Sequence, residues 1–197
     1  MLWAVAPPVP ASSTAPAILI VGDSLSAGFG IEVADGWVAL LQDRLTAKGY
    51  EYRVVNASIS GDTTGGGVRR LQRALDRHQP AITIVELGGN DGLRATPVPI
   101  IRENLAKMVA LSLESGSKVV LAGMQLPPNY GASYTDAFAD LYSQVARDLE
   151  VELIPFFMEG VALNPEKLLP DMIHPNEAGQ PVLLENAWKV LEPLLSK

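Results

Sequence analysis

The stretch Ala17-Ile18-Leu19-Ile20-Val21-Gly22-Asp23-Ser24 constrains this chain more than any other. Four consecutive apolar residues, two of them isoleucine and one valine, with no polar alternation, predict a strand covered on both faces, as in a parallel sheet. The run stops at Gly22, which permits a sharp change of direction, and Ser24 follows two residues later with Asp23 as a natural turn and cap residue. Ser24 is therefore expected just past the carboxyl end of a buried strand. In open α/β sheets that edge is where ligands bind.

From residue 17 onward, strand-like and helix-like segments alternate without a long linker or repeat. Helices are expected from Trp37 through Leu45, from about Gly65 to Arg77, Pro97 to Glu114 and Thr135 to Leu149, and around Val182–Leu191. Further strands are expected at Tyr52–Val55, Ile82–Leu87, Val119–Leu121 and Glu152–Ile154, with Gly88–Gly92 as a loop. Such alternation implies right-handed crossovers, a five-stranded parallel sheet and helices on both faces: a three-layer α/β/α architecture. Five strands suit the flavodoxin-like order 2-1-3-4-5. That order makes the first and third strands neighbours, so Ser24 and Asn90 face one crevice, flanked by the loop at Gly61.

With 197 residues, of which 48% are hydrophobic, residues 17–197 can bury one core as one domain. Residues 1–16 differ: an apolar start broken by Pro7, Pro8 and Pro10 gives way to small polar residues, with no basic region before it. This reads as a leader or the remnant of a secretion signal, trimmed or incomplete. No stretch approaches a membrane span, so no stable membrane insertion is expected. A formal net charge of −7 disfavours nucleic acid and anionic membranes as partners. With no cysteine and two histidines, neither thiol chemistry nor a metal centre is expected.

A serine hydroxyl attacks only when a base takes its proton, and that base is usually a histidine oriented by a carboxylate. His78 follows a helix and precedes the third strand, which puts it at the amino edge of the sheet. His174 follows the fifth strand, on the edge of Ser24, with Asp171 three residues before it and Pro175 restricting it to extended or turn geometry. Donors for the developing oxyanion are available at the same edge: the amide of Ser24, the amide of Gly61 and the side chain of Asn90. The glycine-rich run Gly61–Gly67 lacks the lysine of a phosphate-binding loop, and Gly22–Ser26 is not a Gly-x-Ser-x-Gly elbow.

The blocks Gly22-Asp23-Ser24-Leu25, Gly61, Gly88-Gly89-Asn90-Asp91 and Asp171-x-x-His174-Pro175 resemble the four motif blocks of the SGNH, or GDSL, hydrolase family. Longer matches, including Asn56–Thr63, Val85–Arg94 and Leu126–Gly131, resemble its bacterial periplasmic thioesterase, lysophospholipase and arylesterase branch. The resemblance implies Ser24 as nucleophile, His174 as base and Asp171 as its orienter. It likewise implies an oxyanion hole of Ser24, Gly61 and Asn90, no cofactor, and a periplasmic or secreted location. Asp23 and Asp91 look like scaffold members of their blocks. The expected substrates are small-molecule acyl esters and thioesters. A short-chain carbohydrate deacetylase of the same family is an alternative, and a flavodoxin-like binding module is another, though it gives no reason for an Asp-His pair beside the serine. The loops after the fourth and fifth strands are apolar: Met124, Leu126, Pro127, Pro128 and Tyr130, then Phe156, Phe157, Met158, Val161 and Leu163. They predict a pocket suited to acyl chains longer than acetyl.

Overall fold

The computed structural model describes residues 15–197. The expected leader therefore lies largely outside the described residues, although the Pro16 carbonyl already accepts the Arg53 amide at 3.0 Å and so belongs to the sheet. Five strands, β1 (Ala17–Gly22), β2 (Arg53–Asn56), β3 (Ile82–Glu86), β4 (Lys118–Ala122) and β5 (Glu152–Ile154), pair in parallel in the order β2-β1-β3-β4-β5. All six residues of β1 are buried. That burial explains the absence of alternation: β1 has a strand on each side and helices on each face.

The helices are α1 (Ser24–Ala27), α2 (Trp37–Ala47), α3 (Thr64–His78), α4 (Gly89–Leu93), α5 (Val98–Glu114), α6 (Ala132–Asp148) and α7 (Gln180–Leu191). On one face of the sheet α2 packs against α7; on the other α3, α5 and α6 pack side by side. Two aromatic pairs mark the two halves of the core. Trp37 meets Phe157 edge-on at 5.3 Å, and Phe138 meets Tyr142 in the same manner at 5.6 Å. Gly36 offers no side-chain cap to α2, and the Trp37 amide is satisfied instead by Gln180 Oε1 of α7 at 3.0 Å.

Two differences from the sequence reading bear on the site. The expected loop Gly88–Gly92 is largely a one-turn helix, α4, entered through Gly88 at φ +118°. A Cβ at Gly88 would lie 2.2 Å from the Tyr142 hydroxyl. Helix α6 begins three residues earlier than expected, because the Thr135 amide bonds back to the Gly131 carbonyl at 3.0 Å and completes the first turn. No helix among the described residues is long and apolar enough to cross a membrane.

Candidate active site

Ser24 opens α1 immediately beyond β1 and is 8% exposed. Asp23 caps that helix, its Oδ1 accepting the Leu25 amide at 3.1 Å, and Gly28 ends it in the left-handed region. The Ser24 amide thus sits in the first turn, where backbone N–H groups have no partner within the helix. Beneath the turn lies Glu86, fully buried on β3 and in register with Gly22. Its Oε2 accepts the Ser26 hydroxyl at 2.5 Å and the Asp23 amide at 3.3 Å, and Ser26 Oγ accepts the Trp37 indole N–H at 3.2 Å. A Cβ on Gly22 would come within 2.5 Å of Glu86 Oε2, so the glycine of this block is required by the carboxyl below it.

His174 reaches Ser24 from the segment after β5. Its Nε2 lies 2.9 Å from Ser24 Oγ, and its Nδ1 lies 2.7 Å from Asp171 Oδ2. With Nδ1 protonated and donating to the carboxylate, Nε2 is free to accept the serine proton. Asp171 Oδ1 also accepts the amides of Ile173 and His174 at 2.9 and 3.0 Å. The backbone and side-chain bonds to His174 hold the Asp171 carboxyl down at about 2. The three-residue spacing works through this Asx-type turn, which places Met172 at φ +58°. A non-glycine residue there costs on the order of 1–2 kcal/mol. The loop is closed by the Leu169 amide on the His174 carbonyl at 2.7 Å, and Asn176 ties down its base through the carbonyls of Glu166 and Leu168. Phe29 covers the imidazole face with ring centroids 4.4 Å apart.

Asn90, on α4, borders the same pocket as Ser24. Its Nδ2 donates to Asp23 Oδ2 at 3.0 Å, which orients the amide and leaves its second N–H unused by this bond. Burial pushes the Asp23 carboxyl up to about 6, against the lowering effect of its bonds from Leu25 and Asn90. Burial and the neighbouring Asp23 raise Glu86 well above the ordinary glutamate range. Asp91 accepts both the amide and the hydroxyl of Thr64, at 2.8 and 2.7 Å, and so joins α4 to the start of α3. Gly61 lies in an exposed turn after β2 at φ +78°, with open space where a Cβ would stand and its carbonyl accepting from Arg94 at 3.3 Å, and it is not among the residues that line the pocket. His78 ends α3 at the amino edge, far from this constellation in the fold.

The pocket beside Ser24 has a volume of about 340 Å³. Met124, Leu126, Pro127 and Pro128 wall one side, and Phe156, Met158 and Leu163 the other, with Met172 and Ile173 at the histidine. Tyr130, Phe157 and Val161 do not line it: the Tyr130 hydroxyl bonds to the Leu93 carbonyl at 3.0 Å, and the other two are fully buried core. Among the described residues no group of three or more His, Cys, Asp or Glu side chains is arranged to hold a metal ion. Sequence reasoning passed over Glu86, Ser26, Trp37 and Phe29. Only a charged residue inside the apolar run Ile82–Leu87 signalled any of them.

A hydroxyl, an imidazole and a carboxylate in hydrogen-bonded series at the carboxyl edge of a doubly wound sheet form the arrangement of a serine hydrolase. Residues 20–182 match the GDSL-like lipase/acylhydrolase family, and the chain belongs to that family, as a hydrolase of the esterase and thioesterase type. It is 51% identical to Esterase TesA of Pseudomonas aeruginosa over 183 residues, covering 93% of this chain and 91% of the relative. It is 41% identical to Thioesterase 1/protease 1/lysophospholipase L1 of Escherichia coli K12, covering 94% and 88% of the two chains. The crystal structure of TesA superposes with a TM-score of 0.89 over 91% of this chain and 99% of that one, at 51% identity.

Proposed function

We propose that this enzyme hydrolyses small-molecule acyl esters and thioesters of medium and long chain through an acyl-enzyme on Ser24. The observation that carries the reading is the series Asp171–His174–Ser24, at 2.7 and 2.9 Å, opening directly into an apolar pocket. Ser24 Oγ attacks the acyl carbon as His174 Nε2 takes its proton. The negative charge that develops on the carbonyl oxygen is met by the amides of Ser24 and Gly61 and the free N–H of Asn90. The imidazolium, stabilised by Asp171, passes the proton to the departing alkoxide or thiolate, and the acyl group stays on Ser24. Water then attacks the acyl-enzyme with His174 again as base, and the carboxylic acid leaves.

The apolar walls favour this substrate class over acetylated carbohydrates, whose sugar hydroxyls would find few partners among Met124, Leu126, Pro127, Phe156 and Met158. Each buried methylene contributes about 0.8 kcal/mol, so kcat/KM is expected to rise up to about fourfold per added methylene until the pocket is filled. A series of aryl esters and acyl-CoAs of increasing chain length tests this, alongside Ser24→Ala. The expected results are a rise with chain length and a loss of several orders of magnitude in kcat for the variant, with the fold intact by circular dichroism. An optimum at acetyl, with acetylated sugars preferred, would instead favour the deacetylase reading. Near-native turnover by Ser24→Ala would remove the serine mechanism altogether.

A further inference from the structure

Arg70, half-buried on α3, has no part in the mechanism above, yet its guanidinium joins three segments of the site. Nε donates to Asp62 Oδ2 at 2.7 Å, Nη2 to the Gly22 carbonyl at 3.1 Å, and Nη1 to the Ala57 carbonyl. These acceptors come from the end of β1, the segment after β2, and the residue that follows Gly61.

The turn Ile59–Asp62 is closed by the Asp62 amide on the Ile59 carbonyl at 3.0 Å, with Gly61 at its third position and φ +78°. That position of a type II turn requires positive φ and hence glycine. The leading end of the turn is tied to β1, because the Ile59 amide donates to the Gly22 carbonyl at 3.0 Å. Its trailing end is tied to the same carbonyl through Asp62 and Arg70. One carbonyl, two residues before Ser24, therefore anchors both ends of the turn that carries Gly61. Asp62 is itself held firmly: its Oδ1 accepts the Thr63 amide at 2.9 Å and lies in a notch at Gly66, where a Cβ would come within 1.7 Å of it. The Arg70 and Asp62 side chains are 21% and 13% exposed, so solvent screens the pair less than a surface ion pair. A planar fork of donors suits three acceptors in fixed directions, and a lysine ammonium on a flexible stem does not replace it.

We propose that Arg70 is a positioning residue that sets the Gly61 amide against the reacting carbonyl on Ser24, building one side of the oxyanion hole from a distance. This rests on the reading of Gly61 as an oxyanion donor. Displacing a donor by about 1 Å can cost on the order of 10² in rate. The effect belongs to the transition state, so it falls on kcat and leaves KM nearly unchanged.

The test measures kcat and KM on one aryl ester for Arg70→Ala, Arg70→Lys and the milder Asp62→Asn. Each variant is also titrated with an alkyl boronic acid, which mimics the tetrahedral adduct on serine. The expected result is a fall in kcat of about 10²-fold for both Arg70 variants, a matching loss of boronate affinity, and KM within about threefold of the parent. Asp62→Asn is expected to show a smaller loss of the same pattern. Free guanidinium, at concentrations far below those that unfold proteins, should restore part of the kcat of Arg70→Ala but not that of Arg70→Lys, whose side chain fills the site. Full activity in a folded Arg70→Ala, complete repair by lysine, or a kcat loss without loss of boronate affinity would overturn the proposal. Ser24→Ala and Asn90→Ala run in parallel separate the two levels. If both lose activity while the Arg70 variants keep it, only the positioning role fails; if Ser24→Ala stays active, the serine mechanism fails with it.

Discussion

Glu86 is the residue whose chemistry is least expected from its surroundings. A carboxyl at the end of the central strand, with Oε1 unpartnered and Oε2 accepting from Ser26 and the Asp23 amide, has its pKa pushed well above the ordinary glutamate range by burial and by Asp23 beside it. Its raised pKa has a definite sign for stability. In the unfolded chain this group ionises above about 4.5, while in the fold it holds its proton to higher pH. The fold therefore gains from Glu86 at low pH and loses that gain as pH rises above the unfolded value. Glu86→Gln removes this dependence. Whatever offset the amide introduces, the stability of the variant relative to the parent should increase as pH is raised from about 4.5 toward neutrality. Urea unfolding midpoints at several pH values measure it. A difference that stays flat across that range would mean that the fold does not raise the Glu86 pKa.

At the scale of elements, the pocket depends on how closely β4 and β5 leave the sheet together. Gly123 follows β4, donates to the Ile154 carbonyl at 2.8 Å and accepts from Phe157 at 2.8 Å. A Cβ there would lie 2.4 Å from the Pro155 carbonyl oxygen and 2.9 Å from that of Ile154. These are backbone atoms, so relief requires moving β5 and the pocket wall that follows it. Gly123→Ala should destabilise the protein by about 1–3 kcal/mol, the usual range for overpacking. The shift in urea midpoint at constant m-value checks the stability. Because Met124 leaves one side of this junction and Phe156 the other, the same variant should also flatten the dependence of kcat/KM on acyl chain length.

For the whole molecule, the doubly wound topology sorts the chain's two histidines to opposite edges of one sheet. His174 follows β5 and meets Ser24 at the carboxyl edge, whereas His78 ends α3 before β3. Burial, followed by Arg77 and then Arg53, lowers the His78 pKa. Its carbonyl accepts from Arg53 at 2.9 Å, a bond that any side chain at this position would leave in place. His78→Ala should therefore keep kcat/KM within about twofold, while His174→Ala should lose several orders of magnitude. A large loss in His78→Ala would contradict the placement of the reaction at the carboxyl edge.

Much of this architecture follows from local sequence. The unbroken apolar run of β1 announces a strand covered on both faces, and the helical spacing of Ile101, Leu105 and Met108 announces α5; the alternation of strands and helices implies right-handed crossovers, and five strands suit the observed order β2-β1-β3-β4-β5. The same logic brings Ser24, Asn90, Asp171 and His174 to one edge, because each follows a strand. What local sequence could not supply is the set of partners that lie far apart in the chain. Glu86 bonds to Ser26 across 60 positions, Arg70 reaches Gly22 across 48, and Gln180 caps α2 across 143. Nor could apolar loops reveal which of their side chains face the pocket and which complete the core, as Phe156 and Phe157 do in opposite directions. Periodicity reports only whether a residue is turned toward the interior of the protein. Which carbonyl, carboxyl or cavity it meets there is settled by packing, since each buried donor must find an acceptor in whatever element the tertiary fold brings beside it.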